Sequence, residues 1–196
     1  TGSAGYIGST LAYEVMKSGH TVLGLDNYLN SDKSTTNKLK SIFRDKFDFE
    51  EIDLSEAHKK LFKIISDFNP DILIHMAAQP LVRYSYKAPI ETYEVNIIGT
   101  VNVLEAGRSC SNLKAIINIT TDKCYENEGF DKSYKETDRM GGYDPYSSSK
   151  GCAELITSAY WRSFLKDQGI GIASVRAGNV IGGGDWAVDR LIPDIL

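Results

Sequence analysis

Strand-length apolar runs alternate along this chain with segments of helical periodicity, and that alternation limits the possible folds more than any other feature. Residues 21–25, 47–52, 72–76, 115–119 and 170–175 read as strands. Between them, 7–17, 56–68, 92–108 and 147–165 carry apolar residues at intervals of three and four, the spacing of one helix face. A strand followed by a helix can return to the same sheet only in parallel, so the pattern predicts an α/β fold of Rossmann type, a doubly wound parallel sheet. The polar stretch 30–40 and the Gly- and Asp-rich stretch 126–144 are expected to be loops, the second long enough to carry function.

Composition bounds the rest. With 196 residues, 42% hydrophobic and 24% charged, the chain can bury one sizeable core. A net charge of −4 and a pI near 5.4, with scattered Lys and Arg, argue against a nucleic-acid partner. Cys110, Cys124 and Cys152 are odd in number and widely spaced, which suits neither a metal site nor a disulfide framework and points to a reducing cytoplasm. No window approaches the roughly 20 apolar residues that span a bilayer, and no signal-peptide pattern opens the chain, so no membrane association is expected.

The first eight residues, Thr1-Gly2-Ser3-Ala4-Gly5-Tyr6-Ile7-Gly8, place glycines three apart at the mouth of a helix. Small residues there let the backbone approach a pyrophosphate, and the helix N-terminus stabilises its charge. Gly2, Gly5, Tyr6, Ile7 and Gly8 are therefore candidate cofactor residues. The next strand ends at Asp26-Asn27, where a carboxylate can accept both ribose hydroxyls of NAD and repel the 2′-phosphate of NADP. Asp53 and Leu54, after the following strand, are placed to meet the adenine, although Asp53 is also explicable as a helix cap. Ala77 and Ala78, within His75-Met76-Ala77-Ala78-Gln79, would leave room for the cofactor at the carboxyl edge of the sheet; His75 has a supporting place only. The chain opens in what reads as a strand-to-helix turn and stops just after Leu191-Ile192-Pro193. The expected organisation is an NAD-binding domain over 1–175 lacking its first strand, then the start of a smaller C-terminal substrate region over 176–196, truncated at both ends.

Tyr146 and Lys150 are four apart at a helix start and so share a face. An ammonium beside a phenol favours phenolate, a base able to take a sugar hydroxyl proton while hydride leaves the same carbon. Thr121-Asp122-Lys123, just past the preceding strand, concentrates a hydroxyl, an acid and an amine at the same carboxyl edge.

Taken in order, Gly2/Gly5/Gly8, Asp26, Thr121-Asp122 and Tyr146/Lys150 resemble the extended short-chain dehydrogenase/reductase family of nucleotide-sugar enzymes. The stretches 75–83, 121–125, 141–146 and 176–186 look like its CDP-glucose 4,6-dehydratase branch, whereas residues 1–40 are more similar to the UDP-glucose 4-epimerase branch. The resemblance implies NAD as cofactor and CDP-glucose as the favoured nucleotide-sugar substrate. It also implies a reaction in which Tyr146 takes the C4 hydroxyl proton as the C4 hydride leaves, water departs across C5 and C6, and the hydride returns to C6. Thr121 would steady the C4 oxygen and Asp122 protonate the departing hydroxyl. Lys123 stands where many sugar dehydratases have a glutamate; it would act as a base if neutral, or stabilise the C4 enolate as a cation. Asn179 would border the nicotinamide and the sugar diphosphate, and Arg83 and Arg190 are candidate substrate contacts. A homodimer through the 92–108 and 147–165 helices is implied as well. Two rival readings are a nucleotide-sugar 4-epimerase, which has no use for Asp122, and a non-catalytic NAD-binding module, which needs neither Tyr146 nor Lys150.

Overall fold

The structure, a computed structural model, describes residues 1–127, 129, 133–187, 189 and 191–195. These form two compact units, one of Thr1–Asp53 with Val180–Leu196 and one of Leu54–Asn179. In the first, α1 (Tyr6–Lys17), β1 (Val22–Asp26), α2 (Lys33–Phe43) and β2 (Phe47–Glu51) follow one another. The strands pair in parallel with Val22 opposite Phe47 and Asp26 opposite Glu51. Ala12 and Met16 of α1, Leu39 of α2 and Phe47 of β2 make the core, flanked by Val22, Phe43 and Phe49.

Helix α2 corrects the expectation of a loop over 30–40. Its Lys-Ser-Thr-Thr-Asn-Lys start has no apolar stripe, but Asp32 caps it by accepting from Ser34 N at 2.6 Å. Thr36 and Leu39, three apart, then bury one face. A cap and two inward side chains suffice where the rest of the helix is solvated.

In the second unit, β3 (Ile72–His75), β4 (Ala115–Thr121) and β5 (Gly171–Ala177) form a parallel sheet in that order. Ile72 is opposite Ala115, and Thr121 is opposite Ala177. Helix α3 (His58–Phe68) ends on Asn69 in left-handed geometry (φ 49°), whose N–H donates to Ile65 O at 2.8 Å. Short helices α4 (Val82–Lys87) and α5 (Pro89–Tyr93) lead through a widened π turn, Glu94–Ile98, into α6 (Gly99–Arg108). Helix α7 (Pro145–Tyr160) likewise runs on through a π turn, Trp161–Leu165. Leu61 and Ile65 of α3, Val103 and Leu104 of α6, and Leu73 and Ile116 of the sheet are among its buried apolar residues.

Parallel strands joined by helices make this the expected α/β, Rossmann-type organisation, with its strands hydrogen-bonded as a pair in one unit and a triplet in the other. A short helix, α8 (Leu191–Ile195), belongs to the first unit. Among the described residues no helix is long and apolar enough to cross a membrane.

Candidate active site

In the first unit the chain turns at Gly2 (φ 71°), whose N–H donates to Leu25 O at 2.8 Å and ties the turn to β1. A Cβ at Gly8 would fall 2.0 Å from Gly2 O, so only glycine lets α1 start this close to the turn. Gly5 caps α1 without a side-chain hydrogen bond, and no acidic residue lies in the first turn, which leaves the helix N-terminus suited to an anion. Asp26 ends β1 and is pinned by Ala4 N and Tyr28 N, each at 2.9 Å, one on each carboxylate oxygen. A carboxylate has lone pairs to spare beyond two such bonds. Asn27 donates to Asp53 Oδ2 at 2.8 Å. Tyr6 donates to Val180 O at 3.1 Å, with its ring beside Gly182, and Ile7 is exposed. A glycine cradle at a helix start with an aspartate at the next strand end fits a dinucleotide.

In the second unit Asp144 starts α7, accepting from Ser147 N at 2.9 Å and Ser147 Oγ at 2.6 Å. Tyr146 and Lys150, one turn apart, are both buried. Burial pushes the Lys150 ammonium down to about 8, against the opposing pull of the Glu154 carboxylate one turn further on. Lys150 Nζ reaches Ile119 O on β4 at 3.4 Å. Beyond β4 the chain makes a tight turn, Asp122–Cys124, packed on α7. Thr121, buried, donates from Oγ1 to Asp122 Oδ1 at 3.1 Å. Lys123 Nζ lies between Asp122 Oδ1 at 3.4 Å and Asn179 Oδ1 at 3.1 Å.

Three groups of predicted site residues are thus brought together: Gly2, Gly5 and Gly8 with Asp26, Asn27 and Asp53; Tyr146 with Lys150; and Thr121, Asp122 and Lys123 with Asn179. Leu54 is buried and opens the second unit. Ala77 and Ala78, half-buried, follow β3, and Arg83 is exposed on α4. Arg190 lies outside the described residues. His75 is buried against Thr100 Oγ1 at 3.1 Å, and desolvation holds its imidazole well below the usual range. It is a packed neutral histidine.

Sequence reasoning did not single out Asn96, Glu154 or Arg176. Asn96, in the π turn, accepts from Gln79 N at 2.8 Å, donates to Gln79 O at 3.1 Å and donates to Ser149 Oγ at 2.9 Å, joining the loop after β3 to α7. Glu154 ion-pairs with Arg176 at 2.9 Å, both side chains largely buried. A polar residue on an otherwise buried helix face was the available signal: Asn96 interrupts one, and Glu154 extends the Tyr146/Lys150 stripe by a turn.

Parallel strands, the glycine turn and the buried Tyr146/Lys150 face place the chain among the extended short-chain dehydrogenases/reductases. More narrowly, it belongs to the family described as GDP-mannose 4,6 dehydratase, which matches residues 1–193. It is 50% identical to the CDP-glucose 4,6-dehydratase of Salmonella typhimurium, over 100% of this chain and 55% of that protein. A UDP-glucose 4-epimerase from Thermus thermophilus, solved in complex with NAD, is 29% identical with a TM-score of 0.77, over 92% of this chain and 54% of that one. A double mutant of the dTDP-glucose 4,6-dehydratase DesIV from Streptomyces venezuelae, solved with NAD and DAU bound, matches in fold with a TM-score of 0.85 at 21% identity, over 98% of this chain and 58% of that one. The chain spans about half the length of the curated relatives it matches.

Proposed function

We propose that the full-length protein is an NAD-dependent nucleotide-sugar 4,6-dehydratase that takes CDP-glucose to CDP-4-dehydro-6-deoxyglucose. The observation that carries this reading is the Thr121-Asp122-Lys123 cluster at the end of β4, packed on the helix that bears Tyr146 and Lys150. The relationship to the Salmonella typhimurium enzyme supports CDP as the carrier.

NAD, when bound, supplies the acceptor for the C4 hydride and its donor to C6. Gly2, Gly5 and Gly8 with the start of α1 would hold its pyrophosphate, and Asp26 its ribose. Tyr146 takes the C4 hydroxyl proton, and Lys150 favours the phenolate that does so. Thr121 donates to the C4 oxygen. Once C4 is a ketone the C5 hydrogen is acidic: a base beside C5 takes that proton and returns it to C5 when hydride reaches C6, while Asp122 protonates the C6 hydroxyl as water leaves. Lys123 Nζ, between Asp122 Oδ1 at 3.4 Å and Asn179 Oδ1 at 3.1 Å, stands beside the proposed acid for either of its two roles, base at C5 when neutral or stabiliser of the C4 enolate when protonated. Subunits are proposed to pair as a homodimer through the 92–108 and 147–165 helices.

The test is to incubate the full-length protein with CDP-, dTDP-, UDP- and GDP-glucose and follow products by mass and NMR. The expected product, from CDP-glucose, is a 4-keto-6-deoxy sugar lighter by one water, with no net NADH. Asp122→Asn is expected to retain C4 oxidation and lower elimination by about 10²-fold or more, the scale of a general acid. A 4-epimer of unchanged mass would replace this reading with the epimerase.

A further inference from the structure

The Glu154–Arg176 pair lies outside the mechanism above, yet it joins α7 to the residues on either side of the turn after β4. Glu154 is on α7, eight residues from Tyr146 and four from Lys150, so all three side chains rise from one stripe of the helix. Its carboxylate is gripped in a fork, with Arg176 Nε on Oε1 at 2.9 Å and Nη2 on Oε2 at 3.1 Å, and it also accepts from Thr120 Oγ1. Arg176, near the end of β5, continues outward. Its Nη1 donates to Tyr125 OH at 2.8 Å and to Glu136 O at 3.3 Å, and the guanidinium lies 4.8 Å from the centre of the Tyr125 ring. Tyr125 is in turn stacked on Tyr134 at 4.8 Å.

Thr120 and Tyr125 are the residues that bracket 121–124. One end of the segment is therefore anchored to Glu154 and the other to Arg176, and both anchors refer back to α7. The loop beyond is closed in the same place: Glu126 N donates to Arg139 O and Gly141 N to Cys124 O, each at 2.9 Å. Stability alone is a weak explanation for such a pair. Two charges taken out of water seldom gain over well-packed apolar residues of the same volume. Burial by itself would raise the Glu154 carboxyl, yet the hydrogen bonds from Arg176 and Thr120 hold it below its ordinary range, so the pair is charged as it stands.

The proposed reaction gives this placement a purpose. Oxidation at C4 is served by α7, through Tyr146 and Lys150, while elimination across C5 and C6 is served by the turn after β4, through Asp122 and Lys123. Two constellations on separate elements must address adjacent carbons of one sugar. We propose that Glu154 and Arg176 are positioning residues that fix the 121–123 segment against the Tyr146/Lys150 face of α7 and so keep elimination in step with oxidation; the inference rests on the dehydratase reading. Neither residue touches the reacting atoms in this scheme.

The test uses the full-length protein and the variants Glu154→Gln, Arg176→Lys and Glu154→Gln/Arg176→Met. The double variant removes both charges at similar volume, so that it keeps the core filled if a single variant fails to fold. With CDP-glucose, rapid-mixing measurement of NADH reports C4 oxidation, and product mass reports elimination. Measured at pH 6, where Lys150 keeps its proton even without the opposing pull of Glu154, oxidation is expected to stay within about threefold of the parent while elimination falls by about 10²-fold, the penalty for misplacing a catalytic group by an ångström, so that NADH and the 4-keto-hexose accumulate. Amide hydrogen exchange without substrate is expected to rise over 120–126 and 136–141 and to stay at parent levels in β3 and over 115–119 of β4. Oxidation and elimination falling in equal proportion, or unchanged exchange over 120–126 in the double variant, overturns the inference. A parent that makes no 4-keto-6-deoxy sugar from any of the four substrates overturns the dehydratase reading instead, and the exchange result then decides by itself whether the pair holds the segment.

Discussion

Lys150 is an ammonium kept from water, with only 8% of its surface exposed and a long 3.4 Å hydrogen bond to Ile119 O. Burial brings it to about 8, below its ordinary 10.5. In the unfolded chain the amine holds its proton up to 10.5, whereas the folded protein releases it from about 8. Between those values the unfolded state binds more protons, so this residue's contribution to stability improves as pH rises; below 8 the full desolvation penalty stands. Lys150→Met is therefore expected to raise unfolding free energy at pH 7 by on the order of 1–3 kcal/mol, an advantage that shrinks towards pH 10.5. Urea denaturation at pH 7 and pH 10 measures both, and a variant less stable than the parent at pH 7 would sink the argument. The same substitution is expected to abolish C4 oxidation. In the parent, kcat/KM should fall as pH climbs through about 8, because a neutral amine no longer favours the Tyr146 phenolate. If both outcomes are met, Lys150 weakens the fold while serving the proposed chemistry, a stability and activity trade-off at one side chain.

At the scale of elements, the aim of Tyr146 depends on how α7 begins. Gly142 adopts φ 114°, and a Cβ there would lie 2.4 Å from the Ser147 and Ser148 backbone. Gly142→Ala is expected to cost about 2 kcal/mol or more, since backbone strain and a clash with the first turn of α7 act together, and to lower kcat as Tyr146 shifts. Thermal unfolding and steady-state kinetics check it; unchanged kcat would show that the helix start tolerates displacement. This dependence also explains what could be read from sequence. The Tyr146/Lys150 face follows from a local rule, four residues to a helical turn, and five parallel strands follow from apolar runs that need no knowledge of the partner. Helix α2 hid because its buried face is only Thr36 and Leu39, too sparse for a periodic signal. The Glu154–Arg176 pair hid for the opposite reason: each residue is ordinary on its own element, and only the crossing of α7 with β5, 22 residues on, joins them. The widened turns at Glu94–Ile98 and Trp161–Leu165 are likewise invisible to a pattern that assumes uniform pitch.

For the whole molecule, the second unit leaves large apolar side chains outward on the two longest helical stretches. Tyr93 and Ile98 are exposed on the stretch containing α6, and Leu155, Trp161 and Phe164 on the stretch containing α7. The two stretches are adjacent, since Tyr93 OH meets Ser148 Oγ at 2.8 Å and the Arg108 guanidinium lies 4.9 Å from the centre of the Phe164 ring. Exposed apolar residues grouped on two neighbouring helices mark a surface that gains by being covered. On α7 this outward side is distinct from the buried stripe of Tyr146, Lys150 and Glu154, so the surface can be altered without touching those side chains. In a two-fold dimer the same patch is used twice, and a substitution near its centre enters the interface from both subunits. Leu155→Glu thus places two carboxylates in an apolar contact, each desolvated without a partner. The full-length parent is expected to sediment as a dimer at micromolar concentration and the variant as a monomer with a lower unfolding midpoint. A monomeric parent, or a variant that dimerises as tightly, rules out this face as the contact.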